Sequence, residues 1–173
     1  MDVDKITDEY YGKVYKLCLF YLENKEEAED MVQEIFFKVL KKKSTFKEQS
    51  GVYTWIYRIA VNTILNYIKK KKILEFISWE NIINNDPEPV STAPNPAVRL
   101  EQEELKNREI RKLEKSIQQL TAREKTAFYL FHYENLRQKK IAEIMNTSVS
   151  AVESLVHKSM KKIKKNMIMS PSQ

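Results

Sequence analysis

The stretch Gln138–Ser159, QKKIAEIMNTSVSAVESLVHKS, decides how this chain is read. Ile141 and Met145 stand four residues apart, on one face of a helix. Ala142 beside them is small enough to let a second helix come close. Asn146 falls where the chain must turn sharply, and Asn is one of the few residues besides glycine that tolerate a left-handed backbone. Ser148 can cap the next helix by accepting a free backbone N–H. Val152, Leu155 and Val156 then return at helical spacing. The pattern predicts a helix-turn-helix, a unit that places its second helix in the major groove of duplex DNA. Ser150, Glu153, Ser154, His157, Lys158 and Lys161 face outward as candidate DNA contacts, with Ser148 at the helix start. A plain antiparallel helix pair would explain the apolar spacing alone. The small residue, turn residue and cap together, followed by lysines, favour DNA.

Composition supports a polyanion partner. The chain has 173 residues and a net charge of +6, with a pI near 9.2. Such a balance suits nucleic acid. Only two glycines occur, against a usual share of about 7%; a β-rich fold with many tight turns would need more, so an all-α fold is expected. The single cysteine, Cys18, lies in the apolar run CLFYL. It cannot form an internal disulfide and reads as a buried thiol in a reducing cytoplasm. The N-terminal MDVDKITDEYY is acidic and unlike a signal peptide, and no apolar run is long enough to span a bilayer. A soluble intracellular protein is expected, with no direct membrane insertion.

Charge and proline divide the chain. Residues 1–72 carry +3, residues 73–101 carry −4 and residues 102–173 carry +7. Pro87, Pro89, Pro94 and Pro96 all fall in the acidic middle, in NNDPEPVSTAPNPAV (Asn84–Val98). Proline is unfavourable in helix interiors and restricts the residue before it. The expectation is two small helical domains, 1–75 and 98–168, joined by a flexible acidic linker over 76–97. The basic lobes would make two separate contacts with nucleic acid.

In the first lobe, Ile6, Tyr10, Val14, Leu17 and Tyr21 form one apolar stripe, and Tyr11, Tyr15, Cys18 and Leu22 a second. A second helix opens at Asn24 with Glu27 three residues on, a capping-box pattern. Its core stripe is Ala28, Met31, Val32, Ile35, Phe36, Val39 and Leu40, which leaves Asp30, Gln33 and Glu34 on a polar face. A third helix runs from about Val52 to Lys72. Ile56, Ile59, Ala60, Thr63, Ile64, Tyr67 and Ile68 face inward, and Arg58, Asn62, Asn66 and Lys69 recur on the other side, ending in Lys70, Lys71 and Lys72. With Tyr53, Trp55 and Tyr57 nearby, this helix suits unpaired bases. Rings stack on bases at about 1–3 kcal/mol each while lysines hold phosphates, and Asn can bond base edges. The acidic patch on helix two would repel DNA, so it reads as a protein-docking surface.

Three runs resemble a known family: AEDMVQEIFFKVLKKKSTF (Ala28–Phe46), TWIYRIAVNTILNYIKKKK (Thr54–Lys72) and IQQLTAREKTAFYLFHYENLRQKKIAEIMNTSVSAVESLVHKSMKKIKK (Ile117–Lys165). They are similar to the extracytoplasmic-function sigma factors of bacteria, which keep two conserved domains and a linker. The resemblance implies a non-enzymatic initiation subunit that binds core RNA polymerase, directs it to promoters and helps melt them. It implies that Asp30, Gln33 and Glu34, with Phe36 behind, dock on the largest polymerase subunit. It implies that Trp55, Tyr57, Arg58, Asn62, Asn66, Lys69 and Lys70, with the loop Phe46, Lys47 and Ser50, hold the minus-ten element, including a base flipped from the non-template strand. The helix-turn-helix would read the minus-thirty-five element. An anti-sigma factor is the implied regulator. Thr121 departs from the proline usual there and Lys125 from arginine. Glu153 and Leu155 stand where lysine and arginine are frequent, although a carboxylate can accept from cytosine N4.

Two other classes compete. A repressor or activator binding duplex DNA without polymerase explains the helix-turn-helix but not the acidic patch. A nucleic-acid enzyme finds little support, because His132 and His157 are the only histidines and neither a metal-ligand cluster nor a glycine-rich phosphate loop is present. No cofactor is expected. A carboxylate pair such as Asp30 and Glu34 could in principle hold a metal.

Overall fold

Seven α-helices and one 3₁₀ turn make up the described structure, with no strand among the described residues. The computed structural model describes residues 3–46, 51–82 and 101–169. The first lobe holds α1 (Val3–Leu22), α2 (Lys25–Lys42), a 3₁₀ turn (Lys43–Thr45) and α3 (Val52–Ile82). The second holds α4 (Glu101–Gln118), α5 (Ala122–His132), α6 (Gln138–Met145) and α7 (Val149–Met169). The chain is all-α, as its composition predicts. The proline-rich stretch and the loop residues Lys47 and Ser50 lie outside the described residues.

The lobes form as their periodicity dictates. Val14, Leu17 and Cys18 of α1 are fully buried against Val32, Ile35 and Val39 of α2. α3 crosses both with Ile56, Ala60 and Ile64 inward. Each such aliphatic side chain contributes about 1.5–3 kcal/mol by leaving water. Burial pushes the Cys18 thiol up to about 12, so it is an inert packing group. In the second lobe α7 is the central helix, packed by α4, α5 and α6. The apolar core is continuous across both lobes, because Tyr129, Leu130, Ile141 and Ile144 join the cluster around Leu17 and Ile35. Between the lobes, α3 meets α6, and α1 meets α5 through the Tyr21 and Thr126 hydroxyls and the Phe20 and Tyr129 rings.

The turns are made with almost no glycine. Among the described residues, the left-handed ones are Glu23 (φ 58°), Asn135 (φ 50°) and Asn146 (φ 49°), and neither glycine has positive φ. Asn146 closes α6 in a two-bond cap. Its own N–H reaches the Glu143 carbonyl at 3.4 Å, and the Thr147 N–H reaches the Ala142 carbonyl at 3.0 Å, the Schellman arrangement.

Several expectations are corrected. α3 runs ten residues past Lys72, to Ile82. Leu40, expected in the core, is 49% exposed, while its neighbour Val39, about 100° round the helix, is fully buried. The Asn24 cap is only half a capping box. Its side chain accepts from the Glu26 and Glu27 N–H groups, but the Glu27 carboxylate turns to Lys71 at 2.8 Å and Tyr67 at 3.3 Å. Tyr11, placed on an apolar stripe, is 43% exposed.

Candidate nucleic-acid interfaces

The helix-turn-helix is built as its sequence predicts. Ile141, Ala142 and Val152 are buried where α6 meets α7. The Ser148 hydroxyl accepts from the Ala151 N–H at 3.2 Å, and its carbonyl accepts from Val152 N–H, so it starts α7. Ser148, Ser150, Glu153, Ser154, His157, Lys158 and Lys161 are all exposed. The last six therefore share an open face of α7, the side that the second helix of a helix-turn-helix presents to a groove. The lysine tail is less uniform than the sequence suggests. Lys162 pairs with the buried Glu124 at 2.7 Å, so it is a structural cation.

That pair belongs to a cap that sequence reading missed. The Thr121 hydroxyl accepts from the Glu124 N–H at 3.3 Å, and the Glu124 carboxylate accepts from the Thr121 N–H at 2.9 Å. This is a complete capping box. The T-x-x-E signal stands in the sequence at Thr121–Glu124. Burial alone would raise the Glu124 carboxyl. The bonds from Lys162 and Thr121 outweigh it and hold the group below the ordinary value.

The α3 face is partly as expected. Asn62, Asn66, Lys69 and Lys70 are exposed, while Trp55 and Arg58 are half-buried. Phe46 rests against Trp55, ring centres 5.0 Å apart, so the expected loop residue and the expected helix residue do come together. Tyr57 does not join them. It is fully buried, because Tyr57, Ala60, Val61 and Ile64 at i, i+3, i+4 and i+7 form an inward stripe. Its ring stacks on Tyr53 at 4.3 Å. The lysine run is divided too, since Lys71 is bound to Glu27.

On α2, Asp30, Gln33 and Glu34 are exposed. Phe36 is 7% exposed and packs at 6.1 Å on Tyr11, so it supports the face from inside. Phe37 is the aromatic on the surface, 54% exposed. Asp30, Gln33, Glu34 and Phe37 stand at i, i+3, i+4 and i+7 on one side of the helix. Sequence reading passed over Phe37, though this spacing could have found it. Glu34 bonds Lys38 at 2.6 Å, and Lys41 lies over the Phe37 ring at 4.4 Å. Acidic groups around an exposed ring are the composition of a protein contact, where aromatic anchors dominate binding.

Comparison with known proteins agrees with this geometry. The family description Sigma-70 region 2 matches residues 6–73, and Sigma-70, region 4 matches residues 110–163. The ECF RNA polymerase sigma-E factor of Haemophilus influenzae is 34% identical over 154 residues, covering 87% of this chain and 79% of that one. The ECF RNA polymerase sigma factor SigW of Bacillus subtilis is 28% identical over 166 residues, covering 94% and 87%. Among solved structures, the sigma factor RpoE in complex with the anti-sigma factor NepR from Bartonella quintana shares the fold. Its TM-score is 0.68 at 15% identity, over 97% of this chain and 98% of that chain. Helix content, the two matched regions and the relatives converge, and the chain belongs to the extracytoplasmic-function sigma factors.

Proposed function

We propose that the chain is an alternative sigma factor whose two lobes divide promoter recognition. It binds core RNA polymerase, directs it to specific promoters and helps open them. Residues 1–75 and 98–168 are the working units, with 76–97 between them. Asp30, Gln33 and Glu34, with the Phe37 ring, form the polymerase contact. Lys69, Lys70, Asn62, Asn66, Arg58 and Trp55 hold the melted minus-ten strand, together with Phe46, Lys47 and Ser50. Ser150, Glu153, Ser154, His157, Lys158 and Lys161 read the minus-thirty-five duplex.

Mechanistically the work is binding without catalysis. Lysines at the α3 end and along α7 draw the phosphate backbone and release counterions. Asparagine amides bond exposed base edges, and the Trp55 ring offers a face on which an unpaired base can stack. Strand opening follows from this preference, because groups that bind unpaired bases shift the duplex toward the melted form. The setting is the bacterial cytoplasm. No described helix is long and apolar enough to cross a membrane. An anti-sigma factor is the expected negative partner, as NepR is for the RpoE structure.

The observation that carries this reading is the exposed acidic face on α2 in a chain of net charge +6, on the same molecule as an open helix-turn-helix face. A DNA-only regulator has no use for it. The test is co-purification with core RNA polymerase. The native chain should form a stoichiometric complex. Combined Asp30→Lys and Glu34→Lys should weaken it about tenfold or more while leaving helical content unchanged.

A further inference from the structure

A cavity of about 260 Å³ opens among the end of α1, the start of α2, the lysine end of α3 and the link between α4 and α5. Lys71, Lys72 and Lys125 bring positive charge to it, against the single carboxylate of Glu27. That carboxylate is already bound by Lys71, at 2.8 and 2.9 Å. Leu22, Ile68 and Leu120 give the cavity an apolar wall, which weakens the screening of any charge inside.

Lys125 sets this cavity apart. Its side chain is 6% exposed, yet among the described residues no carboxylate forms an ion pair with it. Its ammonium makes one hydrogen bond, to Gln118 Oε1 at 2.7 Å, and lies over the rings of Phe20 and Tyr21 at 5.1 and 5.4 Å. An ammonium carries three donors, and a buried charge ordinarily has an opposite charge beside it. Burial lowers the pKa of this group, and the charge of Glu23 offsets that only in part.

The start of α5 adds further donors. Ala122, its first residue, lines the same cavity. The capping box uses the N–H groups of Thr121 and Glu124. Those of Ala122 and Arg123 have no acceptor within the helix, and the helix dipole puts its positive end there. Glu124, the carboxylate at that end, is taken up by Lys162 and by the Thr121 N–H. A buried ammonium, a helix start and the lysine end of α3 therefore meet at one small space. A multiply charged anion answers all three.

We propose that this cavity binds a small phosphate anion, either pyrophosphate or the polyphosphate end of a nucleotide, with Lys125 as its buried counter-charge. The inference goes beyond promoter recognition and does not rest on it. Neither the acidic face of α2 nor the outward face of α7 lines the cavity, and Lys69 and Lys70 stand outside its walls.

The test is calorimetric titration of the full chain with inorganic pyrophosphate and, separately, with adenosine triphosphate. The parent should bind at a single site. Lys125→Met removes the charge and should weaken binding about tenfold or more. Ala122→Glu places a carboxylate at the cavity and suits the first turn of a helix, so it should keep the parent's helical content. It too should weaken binding about tenfold or more. Lys16→Ala, at an exposed position of α1 outside the cavity, should change affinity by less than about twofold, as a screened surface charge does. Equal affinity for the two probes assigns the inorganic anion, and tighter binding of the triphosphate assigns the nucleotide; both uphold the site. Failure of both probes to bind, or equal weakening by Lys16→Ala and Lys125→Met, overturns it. Should Lys125→Met unfold, Ala122→Glu decides, and unchanged affinity in that protein overturns the proposal. Should a short thymidine oligonucleotide bind through Lys125 while neither probe does, the lysine belongs to a DNA contact and the proposal fails. A chain that binds pyrophosphate but not core polymerase contradicts the proposed function instead and leaves the anion site standing.

Discussion

Thr121 sets the start of α5 with a single hydroxyl. Its exchange with Glu124 satisfies two N–H groups that a helix start leaves open, and Lys162 then ties α7 to the same carboxylate. Thr121→Ala should lower stability by about 1 kcal/mol, read by urea titration. Glu124 gives the chain an acid sensitivity. Its folded pKa lies below the unfolded value, here 4.5, so its contribution is complete above that value. It is lost as pH falls through the lowered folded value. Melting temperature should therefore drop more steeply below pH 4.5 in the native chain than in Glu124→Gln, and equal slopes would refute the assignment. At this scale the sequence was legible where chemistry is local. Asn146 and Ser148 stand in the conformations their residue types favour. Glu23 is different, because nothing in a glutamate announces a left-handed backbone, and only the short link between α1 and α2 imposes it.

Helices show the same division. The stripes of α1 and α3 were largely readable because periodicity is repeated every turn, yet Tyr57, read as a DNA contact, is buried, because its neighbours at i+3, i+4 and i+7 set it on the inward stripe. Leu40 and Tyr11 were misplaced because a stripe gives a direction but not the length of the helix that covers it. On α2 the missed Phe37 should be the apolar anchor of the polymerase contact. Phe37→Ala should weaken core polymerase binding about tenfold, and unchanged affinity in a titration would remove it from the contact. On α7, the proposed roles are phosphate contact for Lys158 and base reader for Glu153. Lys158→Ala should weaken duplex binding alike on all sequences and lower the salt slope by about 1. Glu153→Ala should instead reorder promoter preference in a library, and an identical ranking would contradict its role.

Across the whole molecule, the division into two basic lobes around an acidic, proline-containing stretch was visible in charge alone. How the lobes meet was not. The Arg58–Glu143 and Tyr53–Glu134 bonds join residues more than eighty positions apart, and no local pattern encodes such a pairing. The proposed function rests on the whole chain bringing three faces to one polymerase and one promoter. The most direct measurement is run-off transcription with core RNA polymerase on genomic fragments, with transcript starts mapped. The account predicts starts that appear only with the chain added and that share two separated upstream elements, one for each lobe. Transcripts identical to those of core polymerase alone, from a folded chain freed of any inhibitor, would contradict it.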